Sequence, residues 1–241
     1  LGSGFTFLNM PNLSTISDWA NLLEGLASSV PVPDLTDDAR PFADEFGHRR
    51  PVDRPFIAWL TEADHPTDTL GALVHADSPD VALWAALATV QPVPAPVLAL
   101  HRRTDWRSNF DAGSLFPQRN ESGPIAIEVW TEVELSSLHA LAWLAGRDPS
   151  LRPLVRDTAR WHIENLQPDN ATNHPWAVHV FAAIGVLDAH PDASMYAQTL
   201  LHNCQVSQGR PDAFSALILR DSARALRKGS LTEWLTGSDH P

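Results

Sequence analysis

The 241-residue sequence predicts an all-α protein built of stacked helical hairpins. Three observations carry that expectation. Beyond residue 125 the chain runs through five successive segments of helical period, roughly 132–146, 150–166, 175–187, 192–206 and 212–227. Their joints, GRDPS, QPDNATNH, DAHPD and SQGRP, are short and rich in turn formers, which sets consecutive helices antiparallel. The segments also match at an offset of 40 residues: His139 meets His179, His162 meets His202, and Leu138, Leu141, Leu144 and Leu166 meet Val178, Phe181, Ile184 and Val206.

Composition bounds what such a fold is used for. Apolar residues make up 44% of the chain, enough to build a sizeable core and to argue against wholesale disorder. A formal charge of −12 repels phosphate backbones and anionic lipid, so neither a nucleic acid nor a membrane is expected as partner. No apolar run approaches the roughly 18 residues of a membrane-spanning helix. Cys204 is the single cysteine, which excludes an internal disulfide and a thiolate-rich zinc site. On that count a cytoplasmic location is the default, although the opening LGSG reads as a processing remnant and a removed signal peptide stays compatible. No glycine-rich phosphate loop, dinucleotide fingerprint, EF-hand spacing or zinc-finger spacing occurs, so no cofactor and no metal are expected.

In chain order, TISDWANLLEGLASSV predicts a first helix, with Ser17 or Asp18 as cap and Trp19, Leu22, Leu23 and Leu26 as its apolar stripe. PVPDLTDDARPFADEFGHRRPVDRP, punctuated by proline and charge, predicts an extended or loop segment. PFIAWLTEA at 55–63 predicts a short helix opened by proline, and SPDVALWAALATV at 78–90 predicts another. QPVPAPVLAL at 91–100 suits polyproline conformation or an exposed edge. Residues 101–125 show neither helical nor strand period, a length that marks a functional loop or a boundary. Two regions are therefore expected: a proline-rich 1–124 with few helices, packed on a helical-hairpin region 125–241, unless the whole forms one domain.

Within the hairpin region the segment 175–187 is apolar nearly all round and must be buried, whereas 150–166 spreads Arg152, Arg156, Asp157, Arg160 and Glu164 over one broad side. Inner and outer helices thus alternate. This pattern over 130–227 resembles the α/α-toroid proteins found among terpene cyclases, protein prenyltransferases and many carbohydrate-active enzymes. The aspartate-rich signature of the terpene cyclases is absent. What the resemblance implies is a partial α/α toroid or an α-solenoid-like stack, with a cavity at the mouth of the inner helices.

Candidate binding residues gather in two stretches. In WTEVELSSLHALAWLA, Thr131 and Glu134 have the spacing of a capping box, while Glu132, Ser136 and His139 share one helical face. A serine, a histidine and a carboxylate so placed invite comparison with a catalytic triad, but no G-x-S-x-G elbow precedes Ser136. Trp130, like Trp106, flanks the 101–124 stretch and is a candidate to line a groove for a sugar, with Asp105, Asp111, Glu121, Glu128 and Glu132 as nearby carboxylates. In QPDNATNHPW, Asp169, Asn173 and His174 precede a helix start; they suit either a turn with a cap or the rim of a pocket. His179 follows His174 at an offset unsuited to the zinc motif H-E-x-x-H. His139 and His179 either line one shared channel or pack as core histidines. Asn165 and Gln205 are expected to bond between helices, and Cys204, near a helix C-terminus, to be unreactive.

The leading functional expectation is a cavity for a small polar molecule, carbohydrate included, with enzymatic activity left open. The competing one is a non-enzymatic helical-repeat scaffold for a protein partner. Carboxylates and histidines around a deep pocket favour the first; His139 and His179 sealed in the core favour the second. The pattern does not fix an oligomeric state.

Overall fold

The computed structural model describes residues 13–31, 42–43, 49–50, 59–60, 79–88, 114–116, 118–120, 123–166 and 173–229. The α-helices with described bounds are α1 (Ile16–Ser28), α2 (Pro79–Ala88), α3 (Ile127–Arg147), α4 (Arg152–Asn165), α5 (Val178–Leu187), α6 (Pro191–Val206) and α7 (Ala213–Arg227). Two antiparallel pairs of two residues each accompany them: β1 (Phe42–Ala43) with β2 (Arg49–Arg50), and β3 (Arg119–Asn120) with β4 (Gly123–Pro124). The fold is all-α in character. Of the predicted helix over 55–63, residues 59–60 are helical and the rest lies outside the described residues, as does 91–100.

The chain divides into two compact units, residues 1–33 with 173–241, and residues 34–172. In the first unit α1 lies along α7, α5 pairs with α6, and α5 also meets α7 and α1. The cap of α1 is Thr15, ahead of the expected Ser17 or Asp18. Its hydroxyl accepts from the Asp18 N–H at 3.1 Å while the Asp18 carboxylate accepts from the Thr15 N–H at 3.0 Å, a complete capping box. Trp19, Leu23 and Ala27 are buried, and Arg227 of α7 reaches Glu24 at 3.2 Å. Between α5 and α6, Phe181 stacks on Tyr196 with ring centroids 4.3 Å apart. Gly185 lets these two helices touch: a Cβ there would stand 2.9 Å from the backbone nitrogen of Ser194.

In the second unit α2 packs on α3, and α3 packs on α4 and on a 3-10 turn, Pro149–Leu151. Residues 80–88 of α2 are all buried. α3 starts at Ile127, five residues before the expected start, and Ala126 precedes it without a side-chain cap. Thr131 and Glu134 are therefore interior residues of a longer helix and not its capping box. Ile125, Ile127, Trp130, Trp161 and Leu166 form an apolar cluster that draws the helix backwards to cover α4. The β3–β4 hairpin falls inside the stretch that showed no strand period, because strands of two residues are too short to display one.

The pairs α3–α4 and α5–α6 are both helical hairpins, and the first helices do correspond at 40 residues. Leu138, His139, Leu141 and Leu144 are buried, and so are Val178, His179, Phe181 and Ile184. The second helices do not keep that offset. Buried Val155, Thr158, Ala159, His162 and Leu166 of α4 match buried Ala193, Tyr196, Ala197, Leu200 and Cys204 of α6, a shift of 38. The 3-10 turn that leads into α4 has no equivalent before α6, which starts directly at Pro191. The match of His162 with His202 is thus one of sequence only: His162 is buried and His202 is exposed.

Candidate functional site

In the second unit a dense group of polar side chains among the described residues surrounds α3. Ser136 stands in the middle of the helix, fully buried, and its hydroxyl donates to Asp80 Oδ2 at 3.0 Å while accepting from the Trp84 indole N–H at 2.9 Å. Asp80 lies in the first turn of α2, where the helix dipole favours a negative charge. The His139 imidazole lies tilted against the Trp84 ring, centroids 5.4 Å apart. Here the serine proton is directed to a carboxylate and its lone pair is engaged by an indole. That is the arrangement of a clamp between two helices.

Two residues back along α3, the buried Glu134 carboxylate accepts from the backbone N–H groups of Leu115 at 2.9 Å and Phe116 at 2.5 Å. His162 Nε2 of α4 lies 3.4 Å from the same carboxylate. Trp130 stacks on the His162 ring and donates its indole N–H to the Phe116 carbonyl at 3.1 Å. One carboxylate therefore holds a loop and a neighbouring helix to α3, with its negative charge answered by two N–H dipoles and an imidazole.

In the first unit His179 Nδ1 lies 3.3 Å from the Ser222 hydroxyl of α7, both residues fully buried. His174 sits before α5 with its Nε2 3.8 Å from Asp212 Oδ2 and its ring edge-on to Phe214, which also meets Trp176 edge-on. Asp212 caps α7 by accepting from the Ser215 N–H at 2.7 Å. α5 itself begins three residues later than predicted, preceded by Ala177 in the left-handed region at φ 56°, so neither Asn173 nor His174 is its cap. Asp221 and Arg224 form an ion pair within α7. The side-chain amides of Asn165 and Gln205 each donate to the carbonyl four residues earlier in their own helix, at 3.0 and 2.6 Å, where interhelical bonds were expected.

Of the sequence candidates, Trp130, Glu132 and His139 thus lie buried along α3; His174 and His179 are buried in the first unit, with Asn173 half-buried beside them. Asp169 lies outside the described residues, as do Trp106, Asp105, Asp111 and Glu121. Asp80, Asp212 and Ser222 went unremarked in the sequence. Only Asp212 had a local signal, as an aspartate directly ahead of an apolar helix. Among the described residues no three histidine, cysteine or acidic side chains converge as a metal would need, and no helix is long and apolar enough to cross a membrane.

Cys204 is buried on α6, with its thiol 3.3 Å from the Leu201 carbonyl. Burial, reinforced by the negative charge of Asp212, pushes the thiol up to about 12. The folded value lies above the unfolded one, so this group's contribution to stability is complete below the unfolded value and is lost as pH rises through the folded value. Native protein at pH 8 is expected to react with a thiol-specific disulfide reagent only at its unfolding rate, and stability is expected to fall progressively between about pH 9 and 12 relative to a Cys204→Ala variant. Immediate stoichiometric labelling at pH 8 would refute this.

Compared with protein-family models, with curated proteins and with solved structures, the chain matches none.

Proposed function

We propose that this chain is a helical scaffold that offers surface to a protein partner, and that its histidines hold helices together. The observation that carries this reading is the complete burial of His139 and His179, each engaged by a neighbouring helix through Trp84 or Ser222. A general base must come within about 3 Å of the proton it removes, so an imidazole closed inside a helix interface has no substrate to serve. Ser136, the nucleophile that the sequence invited, is likewise committed to Asp80 and Trp84. The two hairpins are the units from which a partial toroid or solenoid surface would be assembled.

A second reading, a small polar molecule or sugar bound ahead of α5, draws on Asp212, whose side chain is 45% exposed beside the buried His174 ring. Acylation of histidines by diethyl pyrocarbonate, followed by peptide mapping, tests both. The scaffold reading expects His202 to be modified, and His139 and His179 to react at least about tenfold more slowly, through opening of their units. Equal rates at His139 or His179 would sink it. Protection of His174 by an added sugar would bring the second reading forward.

A further inference from the structure

We propose that the outer face of α6 pairs with the same face of a second copy of this chain, antiparallel and about a two-fold axis. The proposal names the partner for the scaffold reading and rests on it.

α4 and α6 share five buried positions at a shift of 38, and differ where Trp161 is buried and Thr199 half-buried and where Leu201 is buried and Ile163 half-buried; their outer faces can be compared on that alignment. The outer face of α4 carries Arg156, Asp157, Arg160 and Glu164. In α6 no aspartate, glutamate, lysine or arginine occurs between Asp192 and Arg210. In their place Met195 and Val206 stand out at 51% and 64% exposure, the two large apolar side chains exposed among the described residues. Met195, Thr199, His202 and Val206 follow one another at steps of four, three and four, the spacing of a seam between two helices. The stripe spans about 17 Å.

Charge selects the occupant. Copies bearing −12 each repel one another over most of their surface and approach at least cost where charge is absent. Asp192, exposed at the start of α6, and Arg210, exposed just past its end, bracket the neutral stretch with opposite signs. An antiparallel second α6 centred on the seam sets Met195 against Val206 and Thr199 against His202, and brings each Asp192 beside the other copy's Arg210. A parallel pairing would set like charges together at both ends. The two-fold arrangement is self-complementary, as an isologous contact must be.

One helix face on each side buries less than the roughly 1,200 Å² of a standard interface, so the dimer is weak, with a Kd of about 10 μM to 1 mM. Sedimentation velocity on the full chain from about 5 μM to 1 mM follows it. Asp192→Arg and Arg210→Asp are each expected to raise the dissociation constant roughly tenfold, since each breaks both symmetric pairs and adds repulsion. The double variant Asp192→Arg/Arg210→Asp is expected to restore it. Val206→Glu, at an exposed position, is expected to abolish pairing while leaving the circular dichroism melt unchanged. A chain that stays monomeric throughout overturns the proposal, and so does a dimer indifferent to these substitutions, or one that the double variant fails to recover. A monomer whose His139 and His179 remain protected from acylation leaves the scaffold reading standing; exposed histidines would remove that reading whatever the oligomeric state.

Discussion

Replacing Glu134 by glutamine is expected to cost the second unit about 3–5 kcal/mol of stability. The carboxylate is fully buried and accepts from two backbone N–H groups, those of Leu115 and Phe116, with the His162 imidazole beside it. Glutamine keeps the shape but supplies one acceptor oxygen. Its NH2 must then face a backbone donor that has nowhere else to turn, and a buried unpaired donor costs about 1–3 kcal/mol. Loss of the negative charge beside the imidazole adds to that. Urea unfolding followed by tryptophan fluorescence is a suitable measurement, because Trp130 stacks directly on His162. A loss below about 1 kcal/mol would mean that the loop at 114–116 is held by something other than this carboxylate.

The second large effect is expected at Gly185. Alanine there gains about 1 kcal/mol of helix propensity in isolation. In the folded chain its Cβ would lie 2.2 Å from the Ser194 hydroxyl, which can rotate away, and 2.9 and 3.1 Å from the Ser194 nitrogen and Cα, which cannot. α5 and α6 must separate, loosening the stack of Phe181 on Tyr196. Overpacking of this kind costs about 1–3 kcal/mol, so Gly185→Ala is expected to lower stability despite its better propensity. A variant as stable as the parent in thermal unfolding would show that the helices can part freely.

What was legible in the sequence was local. α6 and α7 begin and end within one residue of their periodic segments, because proline or a capping aspartate starts them and glycine follows them. The partners that define the polar clusters are distant in the chain. Ser136 meets Asp80 and Trp84 across 56 and 52 residues, and Glu134 meets Leu115 and Phe116 across a hairpin that no period announced. Read locally, Glu134 had the spacing of a capping residue, and only the apolar pull of Trp130 on Trp161 and Leu166 lengthened the helix past that spacing. The offset of 40 was real for apolar positions in α3 and α5. It failed in the second helices because a joint can change its length without leaving a trace in the hydrophobic pattern of either neighbour. His174 illustrates the remaining gap: Asp212, the acid 3.8 Å from its ring, is placed by the turn ahead of α7, which sequence separation alone conceals.

The pairing of α1 with α7 has a consequence for how the protein is made. α1 ends at Ser28 and its partner begins at Ala213. At about 5–20 residues per second, the ribosome needs roughly 10–40 s after finishing α1 before α7 exists. During that wait Trp19 and Leu23 lack the helix that α1 lies along, with only α5 arriving before it, whereas α2, α3 and α4 are synthesised consecutively and already have their mutual partners. The middle of the chain is therefore placed to fold first. α1 and α7 close last, across the longest sequence separation among the described helix pairs, and nascent chains cut short before residue 213 would be the ones that chaperones hold.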